Sequence, residues 1–223
     1  MTERIKMLDK SLCEIMICKF ADIRHIFEKY HYKKAHMGGG ISICFAMLLN
    51  KKLVGGSVLG KPRHENKYKN CIDIRRMACL DESPQNSESW FLGQIIKYVL
   101  HNTDYIGVLS YSDLSEGHVG TIYKASNFIK VGETTPTKKV IWDNNGIVKN
   151  YHPRSLTIDR PYSYKMREDL KIGKAKLITS KPKIIWLYDL INKRKGKRPR
   201  IELTTYNKIF ENYDSSVWNR NVE

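Results

Sequence analysis

The sequence has no long apolar run. No window of its 223 residues approaches 18 consecutive apolar residues, and its first residues do not combine a basic stretch with an apolar one. Those two patterns are typical of membrane-spanning helices and secretory signal peptides. We therefore expect a soluble protein that stays in the cytoplasm and has no membrane partner.

Cysteine pairs of the Cys-x-x-Cys kind are also missing. The five cysteines are an odd count, and most lie inside apolar runs such as 41–49. This argues against a disulfide framework and a zinc ribbon. We expect the thiols to act as small core side chains in a reducing compartment.

Acidic residues are scarce relative to basic ones. Asp and Glu number 23 and Lys and Arg number 39, which gives a net charge of +16. Such a surplus attracts polyanions, so nucleic acid is the expected partner. A merely basic protein and a protein that meets anionic membrane are the alternatives. The basic run 192–200 also suits a solubilising tail. The predicted phosphate contacts lie in this run and before residue 70: Lys33, Lys34, Lys61, Arg63, Lys67, Lys193, Arg194, Lys195, Lys197 and Arg198.

The apolar periodicities predict alternating helices and strands between residues 19 and 135. The predicted order is a helix (19–30), a hairpin (41–49 and 53–59), a strand (71–80), a helix (90–101), a strand (105–111), a helix (118–126) and a strand beginning at 128. This is an α+β, or mixed α/β, fold with one central mixed sheet flanked by helices. We divide the chain into a catalytic domain (1–170) and a basic C-terminal extension (171–223), packed on or beside that domain.

Polar side chains gather where the strand 105–111 ends. Ser112, Asp113, His118 and Tyr123 follow it within a short distance. Strand ends beside a helix N-terminus are where open α/β sheets place ligands. The segment 110–132 is therefore the main candidate for chemistry.

Within this segment, Ile122-Tyr123, Asn127-Phe128 and Gly132 resemble a stretch of the acetyltransferase-like (GNAT) family. The resemblance implies that family's fold. It also implies that Tyr123 protonates the departing thiolate of coenzyme A and that Asn127 lies near the donor. The alternative is that Tyr123 is a core aromatic residue on an amphipathic helix.

The loop 81–89 departs from the GNAT pattern. Family members usually have a glycine-rich turn there, whose backbone amides hold a pyrophosphate. This loop contains no glycine and has three acidic residues. Asn86 and Ser89 remain candidate donor contacts, whereas ordinary acyl-coenzyme A binding is put in question.

Five separated strings resemble a narrower family, the phage Mom DNA-modification proteins. They occur in the family's order over roughly residues 20–135: His31-Tyr32, Ile74-Arg75-Arg76-Met77-Ala78, Asn86-Ser87-Glu88-Ser89, Ser112-Asp113, and Gly117-His118-Val119-Gly120-Thr121-Ile122-Tyr123.

The Mom resemblance implies an activity and a set of site residues. The activity is conversion of adenine in double-stranded DNA to an N6-carbamoylmethyl form, which shields phage DNA from host restriction and would take place in the host cytoplasm. The donor is a small molecule, either an acyl-coenzyme A or a related compound. The catalytic residues would be Ser112, Asp113, His118 and Tyr123, and the cofactor-binding residues would be Arg75, Arg76, Met77, Ala78, Asn86, Ser89 and Asn127.

The resemblance also implies bound iron near His31 and Tyr32. Imidazole and phenolate suit iron, but a complete site needs a third ligand, for which Asp113 and His118 are candidates. The alternative for His31 is an imidazole that interacts with the C-terminal end of a helix.

Two other functions stay open. One is a conventional GNAT N-acetyltransferase acting on a protein, RNA or a small amine, and the other is a noncatalytic DNA-binding protein with the same fold. The products formed on DNA and on amines separate these three functions.

Overall fold

The computed structural model describes residues 7–31, 40–62, 67–157, 159 and 161–193. The described residues divide into two compact units. The first comprises those within Met1–Tyr111, Thr121–Lys130 and Trp186–Glu223, and the second comprises Ser112–Gly120 and those within Val131–Ile185.

Ten strands and four α-helices are present in the described part of the chain. The helices are α1 (Phe20–Tyr30), α2 (Ser87–Asn102), α3 (Thr121–Ala125) and α4 (Pro161–Lys171). The strands are β1 (Cys13–Ile17), β2 (Ile41–Leu49), β3 (Lys52–Gly60), β4 (Cys71–Cys79), β5 (Gly107–Asp113), β6 (Ile129–Glu133), β7 (Lys138–Asn144), β8 (Ile147–Tyr151), β9 (Ala175–Thr179) and β10 (Lys183–Asp189).

The large sheet has seven strands in the order β1-β2-β3-β4-β5-β10-β6. Its first four strands are antiparallel neighbours, and β5 then pairs in parallel with β4. The β2–β3 hairpin turns at Asn50 and Lys51, both with positive φ, as a two-residue hairpin loop requires. The mixed sheet and the order of elements between residues 19 and 135 confirm the predicted fold class.

Helices α1 and α2 cover opposite faces of this sheet. Ile23, Ile26 and Phe27 of α1 share a buried cluster with Ala46 of β2. The preceding residue of β2, Phe45, instead contacts Tyr98 of α2 edge-on, with ring centroids 5.2 Å apart. Because successive side chains of a strand point to opposite faces, the apolar run of β2 is buried on both sides.

The second unit has its own small sheet and core. Its strand order is β8-β7-β9, and all pairs are antiparallel. Val140 and Trp142 of β7 pack with Met166 of α4 and Ala175 of β9. The sequence beyond residue 136 has no sustained apolar periodicity, so it does not predict β8, β9 or α4.

The predicted helix over 118–126 begins too early. The structure starts α3 at Thr121, because Gly117 and Gly120 have φ values of +76° and +79°, which lie outside the range of a right-handed helix. His118 therefore lies in the turn before α3. The domain boundary at residue 170 stays a prediction. Within the described ranges, no helix is long and apolar enough to cross a membrane.

Candidate functional site

Strand β4 contains a β-bulge close to the point where its pairing with β5 ends. Val58 pairs with Arg76 and Leu59 with Ile74, so Arg75 is an extra residue on β4. The parallel pairing of β4 with β5 ends at Asp73 and Leu109, although β4 continues to Cys79. Bulges re-aim side chains and are frequent beside functional sites. A ligand-binding opening is therefore expected beyond Asp73.

Arg75 closes one side of this region against backbone. A Cβ at Gly60 would lie 2.3 Å from the carbonyl oxygen of Gly40 and 2.6 Å from Nε of Arg75. The guanidinium also donates a 2.9 Å hydrogen bond to the carbonyl oxygen of Lys61. Because Gly60 has no side chain, Arg75 can fill the space beside it. These contacts give Arg75 a structural role in addition to its predicted contact with the cofactor.

The other residues of the β4 motif are largely enclosed. Arg76 is only 7% exposed, and its carbonyl oxygen accepts a hydrogen bond from Ser57 Oγ at 3.1 Å. Ala78 belongs to the buried cluster under α1, and Met77 is half-buried opposite Ser57. The burial of Ala78 explains its apolar character, and its predicted cofactor contact stays a prediction.

A pocket of about 530 Å³ lies in the first unit beside the start of α2. Three predicted cofactor residues, Asn86, Ser89 and Asn127, line it. Its other lining residues come from the N-terminal segment, α2, the end of α3 and β10: Met7, Leu8, Lys10, Trp90, Gly93, Ile96, Ala125, Ser126 and Tyr188. The pocket combines carboxamides, hydroxyls and one ammonium with an apolar wall, which suits a small polar donor.

The start of α2 is shaped without a glycine. Asn86 takes a left-handed conformation with φ of 73°, and its side chain makes no cap hydrogen bond. The hydroxyls of Ser87 and Ser89 donate to the carbonyl oxygens of Pro84 and Asn86, at 2.6 and 3.1 Å. Asparagine is among the residues that adopt this conformation most readily, so it can replace the missing glycine in the turn.

Tyr123 lies in a cluster of aromatic rings within the first unit. Its ring centroid is 5.4 Å from that of Phe128 and 6.0 Å from that of Trp186. The chain turns after α3 at Asn127, whose φ is 61°, and Phe128 N donates to the carbonyl oxygen of Tyr123 at 2.9 Å. These contacts hold the phenol ring in place. They are compatible with Tyr123 as a core aromatic residue and with Tyr123 as a general acid.

In the second unit, Ser112, Asp113 and His118 lie on one continuous segment. Ser112 and Asp113 are 3% and 7% exposed. The Asp113 carboxylate forms an ion pair with Lys183 and accepts a 3.1 Å hydrogen bond from the backbone N–H of Ser115. His118 N donates to the carbonyl oxygen of Asp113 at 3.1 Å. The structure thus ties His118 to Asp113 through the backbone.

The described residues do not fit an iron site. His31 caps the C-terminus of α1 and packs edge-on against Phe27, with ring centroids 6.1 Å apart. Tyr32 lies outside the described residues. Among the described residues, no group of three or more His, Cys, Asp or Glu side chains is placed to hold a metal ion.

Three of the predicted phosphate contacts can be placed. Lys61, Lys67 and Lys193 are exposed, and the ammonium of Lys67 lies 5.3 Å from the centroid of the Tyr68 ring. The others lie outside the described residues: Lys33, Lys34, Arg63, Arg194, Lys195, Lys197 and Arg198.

A comparison with family models matches residues 13–208 to the Mom protein family. The chain belongs to the Mom protein family. The match covers β1 to β10 and every catalytic residue predicted from the sequence. A search of curated proteins finds no match.

The chain is also similar to solved acetyltransferases. The IAA acetyltransferase from Bacillus cereus ATCC 14579 is 9% identical, with 79% of this chain and 99% of that chain covered and a TM-score of 0.50. The ribosomal-protein-S5-alanine acetyltransferase from Vibrio fischeri is 9% identical, with 84% and 98% covered and a TM-score of 0.49. The Bacillus subtilis acetyltransferase in complex with CoA is 13% identical, with 80% and 99% covered and a TM-score of 0.47. The likeness to the IAA acetyltransferase confirms the GNAT-like fold.

Several contacts of the predicted site residues cannot be foreseen from the sequence. Lys183 contacts Asp113, Trp186 contacts Tyr123, and the segment at Met7 forms a bridge with Gln85 and lines the pocket. Trp186 and Lys183 lie in or beside the apolar run 184–191, but nothing near this run in the chain indicates its partners. Only the pairing of distant segments reveals them.

Proposed function

We propose that the protein is a DNA-modifying transferase that places a carbamoylmethyl-type group on N6 of adenine in double-stranded DNA and so protects phage DNA from host restriction. The observation that carries this proposal is the Mom family match over residues 13–208. The net charge of +16 supports a polyanionic substrate, and the GNAT-like fold supports group transfer.

The proposed reaction is a group transfer to an exocyclic amine. N6 of adenine forms a bond to the carbon of the transferred group and gives up one proton, while the leaving group departs with the electrons of the broken bond. A base in a duplex must first be rotated out of the stack to reach an enzyme pocket. Asp113 or His118 is proposed to accept the proton from the amine, and Tyr123 is proposed to protonate the leaving group.

The pocket beside α2 is the proposed donor site. Its Asn86, Ser89 and Asn127 side chains offer donors and acceptors for a polar group, and Trp90 and Ile96 offer apolar surface. An acyl-coenzyme A is one candidate donor. CoA is a ligand of the Bacillus subtilis acetyltransferase. Donor binding can therefore be tested by substitutions that fill this pocket.

The main test is mass spectrometry of nucleosides from plasmid DNA that is coexpressed with the protein. We expect a modified deoxyadenosine with the wild-type chain and none with Asp113→Ala or Tyr123→Phe. Unmodified DNA together with turnover of acetyl-coenzyme A on amines would instead establish a conventional acetyltransferase. Tight DNA binding without either product would establish a noncatalytic DNA-binding protein.

Gly93 provides a test of the donor site. A Cβ added there has no neighbour within 4 Å, because Gly93 faces the pocket. Gly93→Leu should fill the pocket while favouring the helix, since leucine has the higher helix propensity. We expect loss of the adenine adduct with an intact fold. Lys97→Leu is the matched control on an exposed site of α2 outside the pocket lining, and it should leave the adduct unchanged.

A further inference from the structure

Lys183 and Asp113 form a largely enclosed ion pair within the second unit. Lys183 Nζ contacts Asp113 Oδ2 across 70 positions of sequence. The two side chains are 25% and 9% exposed, so water competes little for either charge. The contact joins the start of β10 to the end of β5.

The second oxygen of the same carboxylate is also engaged. Asp113 Oδ1 accepts a hydrogen bond from the backbone N–H of Ser115 at 3.1 Å. The carbonyl oxygen of Asp113 accepts one from the backbone N–H of His118, also at 3.1 Å. The carboxylate and the backbone carbonyl of Asp113 thus both hold the chain between Asp113 and His118.

Lys183 is itself held in place by its backbone. Its N–H donates to Thr134 Oγ1 at 3.0 Å, and its carbonyl oxygen accepts from Thr134 N at 2.9 Å. Two residues earlier, the N–H of Lys181 donates to Ser115 Oγ at 3.0 Å. The segments 113–118 and 181–183 are thus joined at two points, by the hydrogen bond from the Lys181 N–H to the Ser115 hydroxyl and by the ion pair.

We propose that Lys183 is a positioning residue that fixes the Asp113 carboxylate as an anion and thereby orients His118. This inference rests on the proposed function, which gives Asp113 and His118 their part in the reaction. An ammonium in direct contact favours the charged carboxylate over the neutral acid. Asp113 then acts as an oriented anion, and Lys183 acts through it without touching the substrate.

The test compares three single variants in the full-length protein. Lys183→Met keeps the length of the side chain and removes the charge, Lys183→Arg keeps the charge, and Lys181→Ala is a matched control that keeps the backbone bond to Ser115. For DNA modification we expect kcat to fall on the order of 10- to 100-fold in Lys183→Met, with KM for DNA nearly unchanged. Lys183→Arg should recover most of that loss, and Lys181→Ala should match the wild type.

Asp113→Asn shows whether Lys183 acts through Asp113. If it does, Lys183→Met added to Asp113→Asn lowers kcat no further, because the charge that Lys183 holds is already gone. Losses of kcat that multiply in the double variant would overturn the proposal. So would an unchanged kcat in Lys183→Met.

A readout independent of activity separates this inference from the proposed function. In a ¹H–¹⁵N correlation spectrum, the backbone amide of His118 should shift in Lys183→Met and return towards its wild-type position in Lys183→Arg. If the wild-type protein makes no adenine adduct, the proposed function fails while the spectrum still tests positioning. An unmoved His118 amide in Lys183→Met would refute positioning whatever the activity.

Discussion

The indole nitrogen of Trp142 donates a 2.7 Å hydrogen bond to Oδ2 of Asp169 inside the second unit. Both residues are buried, and Trp142 also belongs to an aromatic cluster with Tyr151 and Tyr162. The bond ties β7 to α4. Since this unit has a small core, a single buried polar contact has a measurable share in its stability.

Removing the acceptor of this bond should destabilise the second unit. Asp169→Ala leaves the indole N–H without its acceptor, at a cost of about 1–3 kcal/mol in the free energy of unfolding. Asp169→Asn keeps an acceptor oxygen and should cost less. The control is Glu168→Ala, whose side chain pairs with Lys171 at the surface and should change stability by less than about 0.5 kcal/mol. Urea unfolding measures all three, and equal losses for Asp169→Ala and Glu168→Ala would contradict the expectation.

Substitution of Gly60 should disturb the contact between Arg75 and the backbone. The new methyl group in Gly60→Ala meets Gly40 and Arg75, so we expect a loss of about 1–3 kcal/mol from overpacking. Gly93→Ala is the control, because its methyl group meets nothing and its helix gains about 0.5–1 kcal/mol. Thermal denaturation should lower the melting temperature of the first variant and raise that of the second. The same sign of change in both would be inconsistent with these contacts.

The buried thiol of Cys44 should make stability depend on alkaline pH. Burial, followed by the nearby Asp22 carboxylate, raises the pKa of Cys44 from 9.0 to about 11. The folded state therefore keeps this proton where the unfolded chain has lost it. The free energy of unfolding should fall as pH rises from about 9 to about 11, by an amount on the order of 2 kcal/mol.

Urea titrations at several pH values test this dependence. Cys44→Ala should show a shallower loss of stability across that window, while Cys13→Ala, at a half-exposed position, should change the slope less. Burial also raises the pKa of Cys18 and of Cys79, so part of the slope should persist in Cys44→Ala. A slope in Cys44→Ala identical to that of the wild type would rule out the role of Cys44.

Lys61 and Lys67, which are exposed before β4, should contribute to DNA affinity without sequence preference. In the double variant Lys61→Ala/Lys67→Ala, we expect weaker binding to every duplex and a slope of log Kd against log salt that is smaller by about two. Lys171→Ala is the matched control, because Lys171 pairs with Glu168 on an exposed face. Fluorescence anisotropy with labelled duplexes at several salt concentrations measures both. A slope unchanged in the double variant would show that these lysines do not contact phosphate.

The elements that the sequence predicts best are those with a regular apolar pattern. The apolar stripe of α1 and the turn at Asn50 and Lys51 depend on residues that are close in sequence, so periodicity and turn chemistry predict them. Strand β8 has a largely exposed pattern, and α4 begins at a proline after an irregular stretch. Neither segment has a strong local sequence pattern, and each is stabilised by packing against β7 and Trp142.

The candidate site divides in the same way. Asp113, His118 and Tyr123 stand out because they follow a strand and fall within a recognisable string. Lys183 is one lysine among many, and its importance comes from a contact made 70 positions away. The predicted helix start at His118 failed because periodicity ignores the backbone conformations of Gly117 and Gly120.

The position of β10 between β5 and β6 has a consequence for synthesis of the protein. Residues 183–189 fill an interior place in the sheet, although β5 and β6 leave the ribosome long before them. Until then, two strand edges are exposed to solvent, where they can pair with other chains. Productive folding of the large sheet must wait for these seven residues, so slow translation between β6 and β10 should increase aggregation of the nascent chain.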